Sequence, residues 1–167
     1  LFDAVMAAFG AAGSGDRSRK TGRDSYLVAL RPVQGARILL VEDNEINQQV
    51  ASEILEQAGF YVDIANHGQE ALDMLSERGY DCVLMDVQMP VMDGFTATRN
   101  IREQERFAEL PVLAMTANAT VEDRQKSLAA GMNEHIAKPI SPQLLFEALL
   151  RWIPHAEREL PEGFEAS

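Results

Sequence analysis

Five side chains that could handle a phosphoryl group stand at one kind of position in this chain, the end of a short apolar run. Leu39-Leu40-Val41 leads into Glu42 and Asp43, Val83-Leu84-Met85 into Asp86, Val112-Leu113-Ala114-Met115 into Thr116, and His135-Ile136-Ala137 into Lys138 and Pro139. If these runs are neighbouring strands of one parallel sheet, their ends share a rim, and three carboxylates, a hydroxyl and an ammonium converge there. Carboxylates held that close repel unless a cation sits among them. The cluster therefore predicts a bound divalent metal, and oxygen-only ligands favour Mg²⁺, with Mn²⁺ as a substitute. An aspartate beside such an ion, with a lysine and a threonine at hand, is equipped to accept a phosphoryl group.

The elements needed to position these groups are written between them. Ile46, Val50, Ala51, Ile54, Leu55 and Ala58 recur at helical spacing after the first run, and Gly59 stops that helix. Tyr61 to Ala65 reads as a second strand, followed by a helix through Ala71, Leu72 and Leu75. A loop containing Pro90 follows Asp86, then a helix from about Phe95 to Gln104, the Val112 strand, and a helix through Val121 and Leu128 closed by Gly131. Pro142 suits an early helical position, and Leu144, Leu145, Ala148, Leu149 and Trp152 form an apolar stripe for the sheet. Five β-α repeats with right-handed crossovers give an α/β, doubly wound, five-stranded parallel sheet with helices on both faces.

Residues 37 to about 154 also resemble the receiver domain of two-component phosphorelay signalling. The resemblance rests on four ordered motifs: Leu-Leu-Val-Glu-Asp-Asn at 39–44, Leu-Met-Asp-Val-Gln-Met-Pro-Val-Met-Asp-Gly at 84–94, Ala-Met-Thr-Ala at 114–117 and Ala-Lys-Pro-Ile at 137–140. It implies the flavodoxin-like strand order 2-1-3-4-5. It also implies that Asp86 is the nucleophile that takes phosphorus from a phosphohistidine, and that Glu42, Asp43, Asp86 and the backbone carbonyl of Gln88 hold Mg²⁺. Lys138, placed by a cis bond to Pro139, would neutralise the phosphoryl oxygens, and Thr116 would donate to them and pull the next loop inward. Gln88 and Asn118 would flank the phosphate where water attacks. His135 stands where many receivers carry Tyr or Phe as a rotating switch, so histidine there admits a pH-sensitive element. The stretch from Val41 to Gln48 resembles receivers fused to hybrid sensor histidine kinases. The partners this implies are a kinase dimerisation and phosphoacceptor domain and a histidine phosphotransfer domain. A stand-alone response regulator, or a degenerate receiver serving only as an interaction module, is the alternative.

Composition narrows the field further. Lys plus Arg is 15 against 26 for Asp plus Glu, a net charge of -11 over 167 residues, which repels phosphate backbones and argues against nucleic-acid binding by this segment. The lone cysteine, Cys82, lies inside a strand and suits a reducing cytoplasm as a core thiol. No apolar stretch approaches the roughly 20 residues of a membrane span. His67 and His155 fall in turns and receive no role. A haloacid-dehalogenase phosphatase would need a second aspartate at position 88, which is Gln, and a flavodoxin-type flavin site would not tolerate the acidic loop 42–45.

The flanks read as connectors. Leu1-Phe2-Asp3-Ala4-Val5-Met6 nearly repeats Leu145-Phe146-Glu147-Ala148-Leu149-Leu150. Residues 1–10 are therefore expected to be the last helix of a preceding domain, another receiver, with 11–35 a linker, 36–154 the domain itself and 155–167 a C-terminal linker.

Overall fold

A computed structural model of the chain describes residues 28–87, 93–117, 120–138 and 140–161. Five strands, β1 (Arg37–Val41), β2 (Tyr61–Ala65), β3 (Cys82–Asp86), β4 (Val112–Thr116) and β5 (Glu134–Ala137), form one sheet. All pairings are parallel and the order is β2-β1-β3-β4-β5. The helices are α1 (Glu45–Gln57), α2 (Gly68–Glu77), α3 (Gly94–Arg102), α4 (Val121–Ala130) and α5 (Pro142–Trp152), with a 3-10 turn at Glu105–Phe107. The fold class, the strand order and the five β-α repeats match the expectation.

The strands read as unbroken apolar runs because both faces of the sheet are covered. Alternate residues point to opposite sides. Ile38, Leu40, Leu84, Leu113, Met115 and Ile136 pack with α1 and α5 through Ala51, Leu55, Leu145 and Leu149. Leu39, Val41, Val83, Met85, Val112 and Ala114 pack with α2 and α3 through Ala71, Leu75, Ala97 and Ile101. Leu40 is fully buried. Truncating such a side chain loses its transfer energy and leaves a cavity, so Leu40→Ala is expected to lower unfolding free energy by about 3 kcal/mol, read from the denaturant midpoint.

Local chemistry fixes where the helices start and stop. Asn44 caps α1, its Oδ1 accepting from the amides of Ile46 at 2.9 Å and Asn47 at 3.1 Å. Thr120 caps α4 through Asp123 N, and Gly131 ends it at φ +104, a left-handed conformation in which a side chain would be strained. His67 also has a structural use, its Nδ1 accepting from Glu70 N at 3.2 Å as the cap of α2. The α5 stripe is rotated from its expected position. Phe146 and Leu150 are buried with Leu145, Ala148 and Leu149, whereas Leu144 is 54% exposed.

The folded unit is also wider than 36–154. Leu30, Val33 and Ala36 are fully buried in the α1/α5 core, and Gly35 N donates to Gly59 O. Residues 28–35 were expected to be linker; their apolar groups instead close the end of the sheet where the strands begin. The expected remnant at residues 1–10, most of the linker and residues 162–167 lie outside the described residues.

Candidate functional site

Register alone brings the predicted groups together. Val41 lies beside Met85, Asp86 beside Met115, and Thr116 beside Ala137, so Glu42, Asp86, Thr116 and Lys138 follow one another across the carboxyl edge of four strands. Backbone bonds extend the ladder past the strand ends. Val87 N donates to Met115 O at 3.1 Å and Lys138 N to Thr116 O at 2.8 Å. Neither Lys138 nor Asp86 is therefore carried by a loose loop at its own position.

Glu42, Asp86 and Thr116 are buried polar residues in an otherwise apolar layer, and Asp43 is exposed at the mouth. Lys138 Nζ lies 2.8 Å from Glu42 Oε2 and 3.2 Å from Asp86 Oδ2. A single ammonium thus bridges two carboxylates that would otherwise repel each other in a poorly solvated setting. Burial works to raise the Glu42 carboxyl, but the Lys138 ammonium and the amides of Asn44 and Asn47 outweigh it and hold the pKa below the usual carboxylate value. Burial likewise works to lower Lys138, and its two acidic neighbours outweigh it, so the ammonium is held more tightly than in an ordinary lysine.

Oxygen atoms of Glu42, Asp43 and Asp86 all lie within 4.8 Å of one another, a spacing that one ion could span. The donor set is all carboxylate, with no nitrogen or sulfur, and that fits a hard divalent cation such as Mg²⁺. Gln88, expected to add a backbone carbonyl, lies outside the described residues, as do Asn118 and Pro139. Five of the eight expected site residues, Glu42, Asp43, Asp86, Thr116 and Lys138, are assembled on one rim.

His135, the expected switch, sits apart on β5 facing α4. Arg124 Nε donates to His135 Nε2 at 3.1 Å, so that nitrogen is an unprotonated acceptor. Burial and the Arg124 charge hold the imidazole pKa below its ordinary value.

Supporting groups around Glu42 escaped the sequence reading. Asn44 N and Asn47 Nδ2 both donate to Glu42 Oε1, at 3.2 and 3.4 Å. Gln48 Nε2 donates to Glu42 O at 2.6 Å and to Asn66 Oδ1 at 2.9 Å. The readable signal was the Asn directly after the Glu-Asp pair, a residue type that caps helices. Gly94 is a second supporting position. A Cβ built there would come within 2.4 Å of Asp86 O, so only glycine lets α3 begin against the backbone of the candidate nucleophile.

Comparison with known proteins agrees with this geometry. The family model for the response regulator receiver domain matches residues 38–150. Hybrid signal transduction histidine kinase I of Dictyostelium discoideum is 40% identical over 120 residues, covering 68% of this chain and 7% of its own length. The chain spans between about one sixteenth and one sixth of the length of the curated relatives it matches. The receiver domain of the sensor histidine kinase PA1611 from Pseudomonas aeruginosa PAO1, which has a magnesium ion coordinated in its active site cleft, superposes with a TM-score of 0.67. It is 44% identical, and the match covers 71% of this chain and 97% of that one. The receiver domain of Ssk1 from Saccharomyces cerevisiae, in complex with the histidine phosphotransfer protein Ypd1, superposes with a TM-score of 0.67 at 29% identity, covering 71% and 89%. With the motifs, the strand order and the family match all falling on the same residues, this chain belongs to the response regulator receiver domain family.

Proposed function

We propose that the domain is a phosphoacceptor of a hybrid sensor histidine kinase, in which Asp86 takes a phosphoryl group from a phosphohistidine. The observation that carries this reading is the Lys138 ammonium between Glu42 and Asp86, with three carboxylates spaced for one ion. An Asp86 carboxylate oxygen forms a bond to phosphorus, the phosphorus–nitrogen bond to the imidazole breaks, and the imidazole leaves with the electron pair and takes up a proton. Glu42, Asp43, Asp86 and the Gln88 carbonyl would hold Mg²⁺, or Mn²⁺ in its place. The ion supplies charge neutralisation for the incoming phosphoryl oxygens. Lys138 would neutralise them as well, and the Thr116 hydroxyl would donate to them. Water beside Gln88 and Asn118 would later hydrolyse the acyl phosphate. The intact lysine and acidic set supports turnover over a degenerate interaction module.

The hybrid setting is supported by the histidine kinases among the relatives and by the Val41 to Gln48 stretch. In that setting the domain lies in the cytoplasm, residues 1–10 are the last helix of a preceding receiver, and a histidine phosphotransfer domain is a partner for phosphoryl exchange with Asp86. Among the described residues no helix is long and apolar enough to cross a membrane. His135, bonded to Arg124 of α4, would serve as the switch residue.

The donor would dock on α1. Ile46 and Val50 are 72% and 49% exposed on the helix that begins just after Asp43, an apolar strip leading straight to the rim. Ile46→Asp with Val50→Asp is expected to slow uptake from a phosphorylated phosphotransfer domain by about tenfold or more, while uptake from acetyl phosphate continues. Equal slowing from both donors would remove α1 from the docking surface. The function itself is tested by incubation with acetyl phosphate and Mg²⁺, followed by borohydride trapping and mass mapping. One adduct at Asp86 supports it, and no adduct, or one elsewhere, overturns it.

A further inference from the structure

The segments that lead into and out of the receiver meet at the pole of the sheet opposite the acidic rim. Ala156 N donates to Pro32 O at 3.0 Å. Arg158 lies across the junction, its guanidinium donating to Pro154 O at 2.7 Å, Ala156 O at 3.3 Å and Pro32 O at 3.4 Å. Its Nε lies 3.7 Å from Asp81 Oδ2, and that carboxylate oxygen also accepts from Arg37 N at 2.9 Å. Asp81 immediately precedes β3 and Arg37 opens β1, so the junction is anchored where the two central strands begin. Despite its charge, the Arg158 side chain is only 14% exposed.

The underside of the junction is apolar. Leu30 and Val33 are fully buried and Ile153 is 2% exposed, all in the α1/α5 core. Gly35 allows the close approach. It adopts φ +84, and a Cβ there would fall 2.7 Å from both Arg158 Cβ and Glu159 O. Three independent features, a guanidinium serving three carbonyls, a core shared by the two segments and a glycine demanded by their contact, converge on the same few residues.

We propose that residues 28–36 and 154–161 form an intramolecular clasp that joins the entering and leaving chain at the amino-terminal pole. The clasp makes 28–161 the cooperative unit and turns the receiver into a coupler whose two connectors emerge side by side, away from the phosphoryl site. Arg158 is the positioning residue, because its guanidinium touches the entering segment, the leaving segment and Asp81 at the start of β3.

The test is amide exchange on the intact chain. In the unaltered protein the Ala156 amide is expected to be protected by about tenfold or more over its unstructured rate, because its acceptor lies on the other segment. Arg158→Ala and Gly35→Val should each remove that protection, while the core amides of Leu84 and Leu113 stay protected and confirm folding. Lys126→Ala, which alters an exposed pair with Glu122, should leave Ala156 unchanged. If Gly35→Val fails to fold, Arg158→Ala decides alone. An Ala156 amide that exchanges at the unstructured rate in the unaltered chain, or one whose protection survives Arg158→Ala, overturns the clasp.

Discussion

Asp86→Asn will abolish phosphoryl uptake from acetyl phosphate, with no residual trapped adduct, while leaving the fold intact. The amide is nearly the size of the carboxylate, so the packing around this buried position is preserved, but it offers no anionic oxygen to attack phosphorus. Removing the charge also weakens the Mg²⁺ site, since that ion relies on few carboxylates. The expected loss is therefore complete in a mass-mapped labelling experiment, not a slower version of the same reaction. Labelling that persists in the variant would place the acceptor elsewhere. Asp43 gives an independent reading: Asp43→Ala should leave Asp86 in place yet weaken the Mg²⁺-induced NMR shifts around it.

Lys138→Met should show the second largest effect, this time on stability. Glu42 is 2% exposed and the Lys138 ammonium lies 2.8 Å from its Oε2. Deleting one partner of a buried pair leaves the other charge uncompensated, and the expected cost without metal is about 3 kcal/mol near neutral pH. Added Mg²⁺ should restore part of it, because an ion binding only the folded state stabilises by mass action. The pH dependence should weaken as well. In the unaltered chain the folded Glu42 pKa is depressed, so its contribution is present above the ordinary carboxylate value and lost as pH falls through the folded one. The folded Lys138 pKa is raised, so its contribution is present below the ordinary lysine value and lost as pH rises through the folded one. Without the ammonium, the largest influence holding Glu42 ionised is gone. The variant should therefore lose less stability than the unaltered chain as pH falls through the carboxylate range. Denaturant midpoints across that range, with and without Mg²⁺, would show the smaller loss, and an equal loss in both proteins would refute it.

The sequence carried the rim because parallel strands place their last residues side by side whatever the intervening helices do. Glu42, Asp86, Thr116 and Lys138 could be assigned from strand ends alone, and the register aligned them without adjustment. Residues 28–36 were legible only as vaguely apolar. Leu30 and Val33 are too few to declare a periodicity, and what meets their segment lies far along the chain: Ile153 shares their core, and Arg158 bonds Pro32 O from 126 residues away. The α5 stripe went wrong at Leu144 for a related reason. Apolar spacing tells which residues could face the sheet, but the helix's rotation follows from packing, and here Phe146 won the core position. The pairing of Arg124 with His135 was equally invisible, since a charged residue on an amphipathic helix gives no sign of which neighbour it will touch.

The single tryptophan hangs from the same strand that delivers Lys138. Trp152 Nε1 donates to Glu134 Oε2 at 2.7 Å, and Arg151 holds the other oxygen of that carboxylate. Glu134 opens β5 and Ala137 closes it, so Lys138 and the indole are attached to opposite ends of four residues. With one tryptophan in the chain, emission from that indole reports on the Glu134 end of β5, a full strand length away from the Lys138 end, without any added label.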